Sequence, residues 1–240
     1  MGLSPFHRRA AREFLQAVLD AVAPPRCAAC GEFGSELCEG CSHRLVRLQP
    51  PLCERCGEPL GGAQDCTAEH GRIAGLAFAR AALAYRGAAA DLVHRMKFAH
   101  DPGATFFLVR ALAAAAPAVV GSRRHTVVAS VPLHPRKLRR RGFDQAAILA
   151  RGLAERRGLE FVPQALRRVR ETLPQGDPRV LSRQRNVEGA FAVARPRRIA
   201  SRTVWLVDDV TTSGATARAC AAVLRAAGAT AVALITAARA

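Results

Sequence analysis

The residues best equipped for chemistry lie in one stretch, Thr203-Val-Trp-Leu-Val-Asp-Asp-Val-Thr-Thr-Ser-Gly-Ala-Thr216. Val204, Leu206 and Val207 give the apolar run of a strand covered on both faces, and Asp208 and Asp209 stand at its expected end. In open α/β sheets that edge is where ligands sit. Thr211, Thr212, Ser213, Gly214, Ala215 and Thr216 follow, small and hydroxyl-rich, with one glycine free to take a positive φ. Consecutive N–H groups and the positive end of the next helix would receive a phosphate, and the paired carboxylates would take sugar hydroxyls. Together they suit a ribose-phosphate. A plain strand–turn–helix, with Asp and Thr as cap and turn residues, is the competing reading.

A second kind of chemistry is written in cysteine. After Pro24-Pro25 come Cys27-x2-Cys30, Cys38-x2-Cys41, Cys53-x2-Cys56 and then Cys66. Each Cys-x2-Cys knuckle turns two thiolates toward one ion, so Cys27, Cys30, Cys38 and Cys41 are expected to complete a tetrahedral zinc site. Cys53, Cys56 and Cys66 leave a second site one ligand short. His70 could supply it as Cys66-x3-His70, His43 or a cross-braced arrangement are alternatives, or the site is degenerate. One or two structural Zn²⁺ ions are expected, and they must stabilise a module too small to bury its own core. Cys220 sits mid-helix among alanines and reads as a buried core thiol.

Positive charge is placed unevenly. The chain carries a formal +17, yet residues 1–75 hold 8 Lys/Arg against 9 Asp/Glu, while residues 136–202 hold 18 against 6. A basic face for nucleic acid or a polyphosphate follows. Arg139, Arg140 and Arg141 close a run beyond a strand end, and guanidinium forks match phosphate oxygens in pairs. Arg170 lies in a long cationic loop of the sort that forms lids. Lys97 stands alone at a helix end. A solvated basic loop, and a helix-dipole partner for Lys97, are the bland alternatives.

Around these groups the chain reads as three parts: an N-terminal amphipathic helix (1–23), a double zinc ribbon (24–70) and an α/β body (73–240). The helix carries Phe14, Leu15, Val18, Leu19 and Val22 on one side and is interrupted by charge, unlike a signal peptide. No run of 18 apolar residues exists, so no membrane span is expected, and cysteines in metal-ligand spacing point to a cytoplasmic protein. In the body, strands are expected over 76–85, 126–131, 159–162, 203–207 and 231–236. Helices are expected over 88–98, 105–120, 145–157 and 215–227, with loop over 164–190. Alternating strands and helices predict a parallel sheet with helices on both faces.

With these residues in hand, nearly the whole chain resembles the ComF family of competence-associated, phosphoribosyltransferase-like proteins. Asp208-Asp209 with Thr212 to Thr216 resembles the phosphoribosyl pyrophosphate signature of type I phosphoribosyltransferases. Met96-Lys97-Phe98, Val131-Pro-Leu-His-Pro through Arg141-Gly-Phe-Asp-Gln145, Arg170-Glu-Thr172-Leu-Pro-Gln175 and Arg185-Asn186 through Phe191 resemble further family elements. Two departures stand out: the second ribbon lacks its last Cys-x2-Cys, with Glu69 at the expected place and His70 beside it, and Thr212-Ser213-Gly214 replaces Thr-Thr-Gly. The resemblance implies a type I phosphoribosyltransferase fold, with Val131 to Pro135 as a pyrophosphate loop and 167–187 as a lid. It implies phosphoribosyl pyrophosphate held with Mg²⁺, Asp208 and Asp209 facing the ribose, and single-stranded DNA bound during natural transformation. A competence helicase or other DNA-processing protein is an implied partner. Genuine nucleobase salvage, and nucleotide sensing through the same pocket, are the competing readings.

Overall fold

The computed structural model describes residues 24–60, 66, 73–119, 123–170 and 187–240. The expected N-terminal helix, His70 and most of the expected lid, with Thr172, Gln175, Arg185 and Asn186, lie outside the described residues.

A five-stranded, fully parallel sheet organises the body, in the order β1 (Ala79–Ala84), β7 (Ala231–Arg239), β6 (Thr203–Thr211), β2 (Thr126–Ser130), β3 (Glu160–Phe161). Its central strands are near-continuous apolar runs because both faces are covered. Alternate side chains serve opposite layers. Val204 and Leu206 of β6 pack with Cys220, Ala221 and Leu224 of the later helix, while Trp205 and Val207 pack with helices from the first half. The fold class expected from the sequence, a helix-flanked parallel sheet preceded by a zinc-ribbon module, is the one adopted.

The helices follow their caps. Residues Glu39–His43 form the short α1 of the cysteine module. In the body, α2 (Ala88–His94) runs into a π-helical turn, Arg95–Ala99, closed by His100 in the left-handed region. Helix α3 (Pro102–Ala115) begins earlier than expected, because Asp101 caps Ala104 N at 3.1 Å and Pro102 suits the first turn. Residues Pro135–Arg141, expected as loop, form helix α4. His134 caps it, Pro135 presets its first φ, and Gly142 (φ +78) ends it. Helix α5 (Gln145–Arg157) has the expected bounds, capped by Asp144 onto Ala147 N at 3.1 Å.

Three further differences bear on the site. The expected loop 164–190 is bracketed by an antiparallel pair, β4 (Leu166–Arg168) with β5 (Phe191–Val193), before the short α6 (Pro196–Ile199). Helix α7 spans Ala215–Ala226. Strand β6 runs four residues past its expected end, since β7 continues beside it to the pair Thr211↔Arg239. Its other neighbour, β2, stops with Val131 N donating to Val207 O at 2.9 Å, and Pro132 has no N–H to continue the ladder.

Strands β2 and β6 therefore part company at Val207. The chain leaves β2 toward β3 through α5 and leaves β6 toward β7 through α7, on the opposite face. The β2/β6 boundary is the switch point of the sheet.

Candidate functional site

At that switch point lies a crevice of about 240 Å³. Its floor is the unpaired edge of β6, Asp208 to Thr211, and the turn Thr212 to Gly214 that enters α7. The opposite wall is Val131 to Leu133 with Lys137 and Arg141 from α4. Gly214 adopts φ +70 as the residue preceding α7, a conformation that favours glycine, and it aims the first free N–H groups of a twelve-residue helix at the crevice.

The acids are locked in by backbone. Asp208 Oδ1 accepts from Asp209 N at 2.9 Å, and Asp209 Oδ1 accepts from Val210 N at 2.6 Å. Burial, reinforced by the neighbouring charge of Asp209, pushes the Asp208 carboxyl up to about 8. Asp209 instead meets a cation: Lys97 Nζ lies 2.8 Å from its Oδ2. The π-helical turn makes that contact, with the extra residue in its winding bringing Lys97 to the crevice.

Of the cations expected to touch phosphate, Lys97 and Arg141 line the crevice. Arg139 and Arg140 are exposed on the last turn of α4 and do not line it. Arg170 is also exposed, donating to Glu188 O at 2.5 Å beyond β4. Thr211, Thr212, Gly214 and Thr216 line the crevice, whereas Ala215 is buried behind it. The Ser213 hydroxyl is buried and has no partner among the described residues.

Sequence reasoning did not single out Lys137, Gln145 or Arg168, all of which face the same space. Lys137 and Arg141 are four apart on α4, so one face of that helix carries both. Gln145 is 1% exposed, accepts from Arg141 Nη1 at 3.2 Å, and its buried Nε2 finds no partner among the described residues. Arg168 comes from the β4–β5 hairpin, its guanidinium 5.2 Å from the Phe191 ring centre, and burial holds its pKa below the usual arginine value. The i,i+4 spacing of Lys137 and Arg141 was the one available signal, legible only once a helix was expected there.

The cysteine module is a two-fold repeat offset by 26 residues. Cys27 N donates to Glu32 O at 2.6 Å and Gly31 N to Cys27 O at 2.8 Å, and Cys53 N donates to Glu58 O at 2.8 Å and Gly57 N to Cys53 O at 2.9 Å. In the first copy the sulfurs of Cys27, Cys30, Cys38 and Cys41 all lie within 4.8 Å of one another, the geometry of a tetrathiolate zinc site. Burial opposes ionisation of Cys27, yet the amides of Cys30, Cys38 and Ala29 bring its thiol down to about 6. In the second copy Cys56 Sγ lies 3.7 Å from Cys66 Sγ, and burial foremost pushes the Cys56 thiol up to about 11. Among the described residues the first copy alone forms a metal-sized cluster. Cys220 is fully buried, as expected of a core thiol.

Comparison with known proteins agrees with this division. The double zinc ribbon domain family matches residues 18–69. The chain is 31% identical over 190 residues to DNA utilization protein YhgH of Salmonella typhi, covering 75% of this chain and 80% of the relative. It is 30% identical over 217 residues to DNA utilization protein YhgH of Escherichia coli K12, covering 85% and 89%. It is 27% identical over 206 residues to competence protein F of Haemophilus influenzae, covering 79% and 84%. A solved glutamine phosphoribosylpyrophosphate amidotransferase from B. subtilis aligns with a TM-score of 0.36 at 25% identity, over 54% of this chain and 25% of that one. No helix among the described residues is long and apolar enough to cross a membrane. On the strength of the YhgH relatives, the chain belongs to the ComF family, that of DNA utilization protein YhgH and competence protein F.

Proposed function

We propose that the β2/β6 crevice binds phosphoribosyl pyrophosphate with Mg²⁺, and that the protein couples this binding to the handling of single-stranded DNA in the cytoplasm during DNA uptake. The observation that carries the reading is the pairing of opposites at one switch point. Two carboxylates and the amide cup of α7 occupy one wall, and four cationic side chains, Lys97, Lys137, Arg141 and Arg168, surround the same space. A 5′-phosphate suits the N–H groups after Gly214 with the hydroxyls of Thr212 and Thr216. The ribose hydroxyls suit Asp208 and Asp209, and a pyrophosphate suits Lys137 and Arg141 on α4. In this reading the chain consists of an N-terminal helix (1–23), a double zinc ribbon (24–70) and a phosphoribosyl-binding body (73–240).

The donor set fits Mg²⁺, a hard cation that takes oxygen ligands from carboxylates and phosphates. An Asp208 carboxyl raised to about 8 is also a group that a nearby cation would ionise at neutral pH. When bound, the ion would neutralise pyrophosphate charge and order the ribose hydroxyls. Asp209 is held by Lys97 and by its own backbone, so it meets a ligand in a fixed orientation. Lys97 can pass from Asp209 to a phosphate oxygen once a ligand enters.

DNA enters through the relatives' names and the cationic stretch 136–202. A competence helicase or similar DNA-processing protein is the partner class this role would require. The second reading is catalytic transfer, favoured by the intact acidic pair beside the phosphate cup. A nitrogen nucleophile would attack the ribose C1′ as the bond to pyrophosphate breaks. The cations would offset charge on the leaving group, and positioning would dominate.

Calorimetric titration of the zinc-loaded protein with phosphoribosyl pyrophosphate, with and without Mg²⁺, tests the proposal. Mg²⁺-dependent binding is expected, weakened at least tenfold in Asp209→Asn and in Thr212→Ala. Absence of binding, or equal binding by the variants, overturns it. Pyrophosphate release with a nucleobase would establish the second reading.

A further inference from the structure

A second cavity is larger than the crevice. It is a groove of about 770 Å³ between α3 and α5, on the opposite face of the sheet from α7. Its floor is the crossing of the two helices, where a Cβ on Gly152 would stand 2.6 Å from Val109 Cγ1, so only glycine allows this approach. Phe106, Phe143 and Ile148 form its walls, with Arg151, Arg156 and one acid, Glu155, along the rim.

The aromatic rings here are paired with guanidiniums. Phe106 is 50% exposed and lies between Arg110, 5.7 Å from its ring centre, and Arg156, at 5.1 Å. At the other end the His100 ring stacks edge-on against Phe143 at 4.6 Å, and its Nε2 lies 3.0 Å from Arg141 O. Arg141 lines the acidic crevice, and its guanidinium stands 5.4 Å from the ring centre of Phe98, which is 56% exposed. A continuous track thus leads from the crevice, past Arg141 and Phe98, over His100 and Phe143, to Phe106 and its arginines.

We propose that this track is the seat of single-stranded nucleic acid, with bases stacked on Phe98, Phe143 and Phe106 and phosphates paired with Arg151 and Arg156. The inference rests on the reading that the chain handles single-stranded DNA, and it assigns that activity a surface. Open π-faces interleaved with cations are what a sequence-tolerant single-strand platform needs. An apolar protein partner fits less well, because burying the groove would strip water from the guanidiniums of Arg151 and Arg156 on its rim. The track's continuity with the crevice would bring a strand within reach of the bound sugar-phosphate.

Fluorescence anisotropy of a labelled twenty-residue oligo-dT with the full-length zinc-loaded protein, from 50 to 300 mM NaCl, tests this. Phe106→Ala is expected to weaken binding about tenfold, consistent with loss of one stacking platform. Arg151→Ala with Arg156→Ala should weaken it further and flatten the log–log salt slope by about 1.4, roughly 0.7 per lost phosphate contact. A charge-matched pair at the other end of the sheet, Arg195→Ala with Arg197→Ala, should leave the slope nearer the wild type. Phe106→Trp should bind like the wild type and show emission quenched on saturation. All four variants should keep the wild-type response to phosphoribosyl pyrophosphate. Groove variants that bind the oligonucleotide like the wild type, or an unquenched tryptophan, overturn the assignment while leaving DNA binding intact. A wild type that takes up phosphoribosyl pyrophosphate but no oligonucleotide overturns the DNA reading and the groove together. Displacement by polyglutamate as effective as by unlabelled oligo-dT would mark an acidic-peptide surface instead, and also overturns it.

Discussion

The two copies of the cysteine knuckle share a backbone and differ in what holds them. The first presents four thiols within 4.8 Å, one of them lowered to about 6, and touches the body through side chains and through the stretch after it, where Arg47 bridges Leu83 of β1. Arg44 donates to Cys41 Sγ at 3.2 Å and to Asp91 at 3.2 Å, and the Arg95 guanidinium packs against Gly31. The second is fastened to the sheet chiefly through its backbone carbonyls, which accept from β1 and from arginines of the sheet. Ala79 N donates to Arg55 O at 2.7 Å, Arg80 Nη2 to Glu54 O at 2.8 Å, and Arg239 bonds Cys56 O at 3.0 Å and pairs with Glu58 at 2.7 Å. The first copy has the geometry to be closed by a metal ion. The second, of which three cysteines are described, is anchored to the ends of β1 and β7. The same turn geometry thus occurs with two different sets of surrounding contacts.

The sharpest way to break that contrast is to remove the ion. Cys41→Ser, or chelation of the wild type, should strip one zinc per chain and unfold residues 27–41, because of order 10 kcal/mol of binding energy sustains such a site. Metal analysis and hydrogen exchange would read it. Cys53→Ser with Cys56→Ser should retain that zinc and leave the sheet intact, and loss of all metal would erase the distinction drawn here.

Glycine reverses the asymmetry. A Cβ at Gly57 would meet Ala79 O at 2.7 Å, backbone that cannot step aside, at φ +72. At Gly31, φ +87, it would meet only the mobile end of Arg95 at 3.1 Å. Urea denaturation should show Gly57→Ala costing about 3 kcal/mol and Gly31→Ala about 1 kcal/mol.

The smallest effect concerns protons, and it contrasts thiol with carboxyl. Protons compete with the ion for all four sulfurs, so zinc affinity should fall as pH drops, with the lowered Cys27 the last of them to gain a proton. Asp208 is raised to about 8, while the unfolded carboxyl ionises near 4. Between those values the folded state holds the extra proton, so ligand-free stability should decline as pH rises from about 4 to about 8 and then level off. Asp208→Asn should remove the decline, raising Tm at pH 9 and leaving it near the wild type at pH 4. A parallel pH profile in the variant would mean that Asp208 is ionised in the fold.

Much of this was legible in the sequence, for reasons that differ by residue. Cys27 to Cys41 announced their site because ligand spacing is local, and Asp208 to Thr216 announced a strand, a turn and a helix because the three are consecutive. Helix α5 kept its predicted bounds because Asp144 and Gly158 mark both ends. What was hidden depended on distant partners. Strand β6 lengthened only because β7 runs beside it to Arg239, and Arg168 reached the crevice only through the pairing of two three-residue strands far apart in the chain. Arg139 and Arg140 looked equivalent to Arg141 until a helix separated their directions. The groove escaped notice because Phe106 and Arg156 are 50 positions apart in the chain.

The wide turn at Arg95–Ala99 carries one last consequence. Regular winding would rotate every later residue by about 100° for each position gained or lost. Excising a single amino acid there would restore an ordinary spiral and swing the lysine away from Asp209 without altering its chemistry. Spacing, more than composition, is what this segment must preserve.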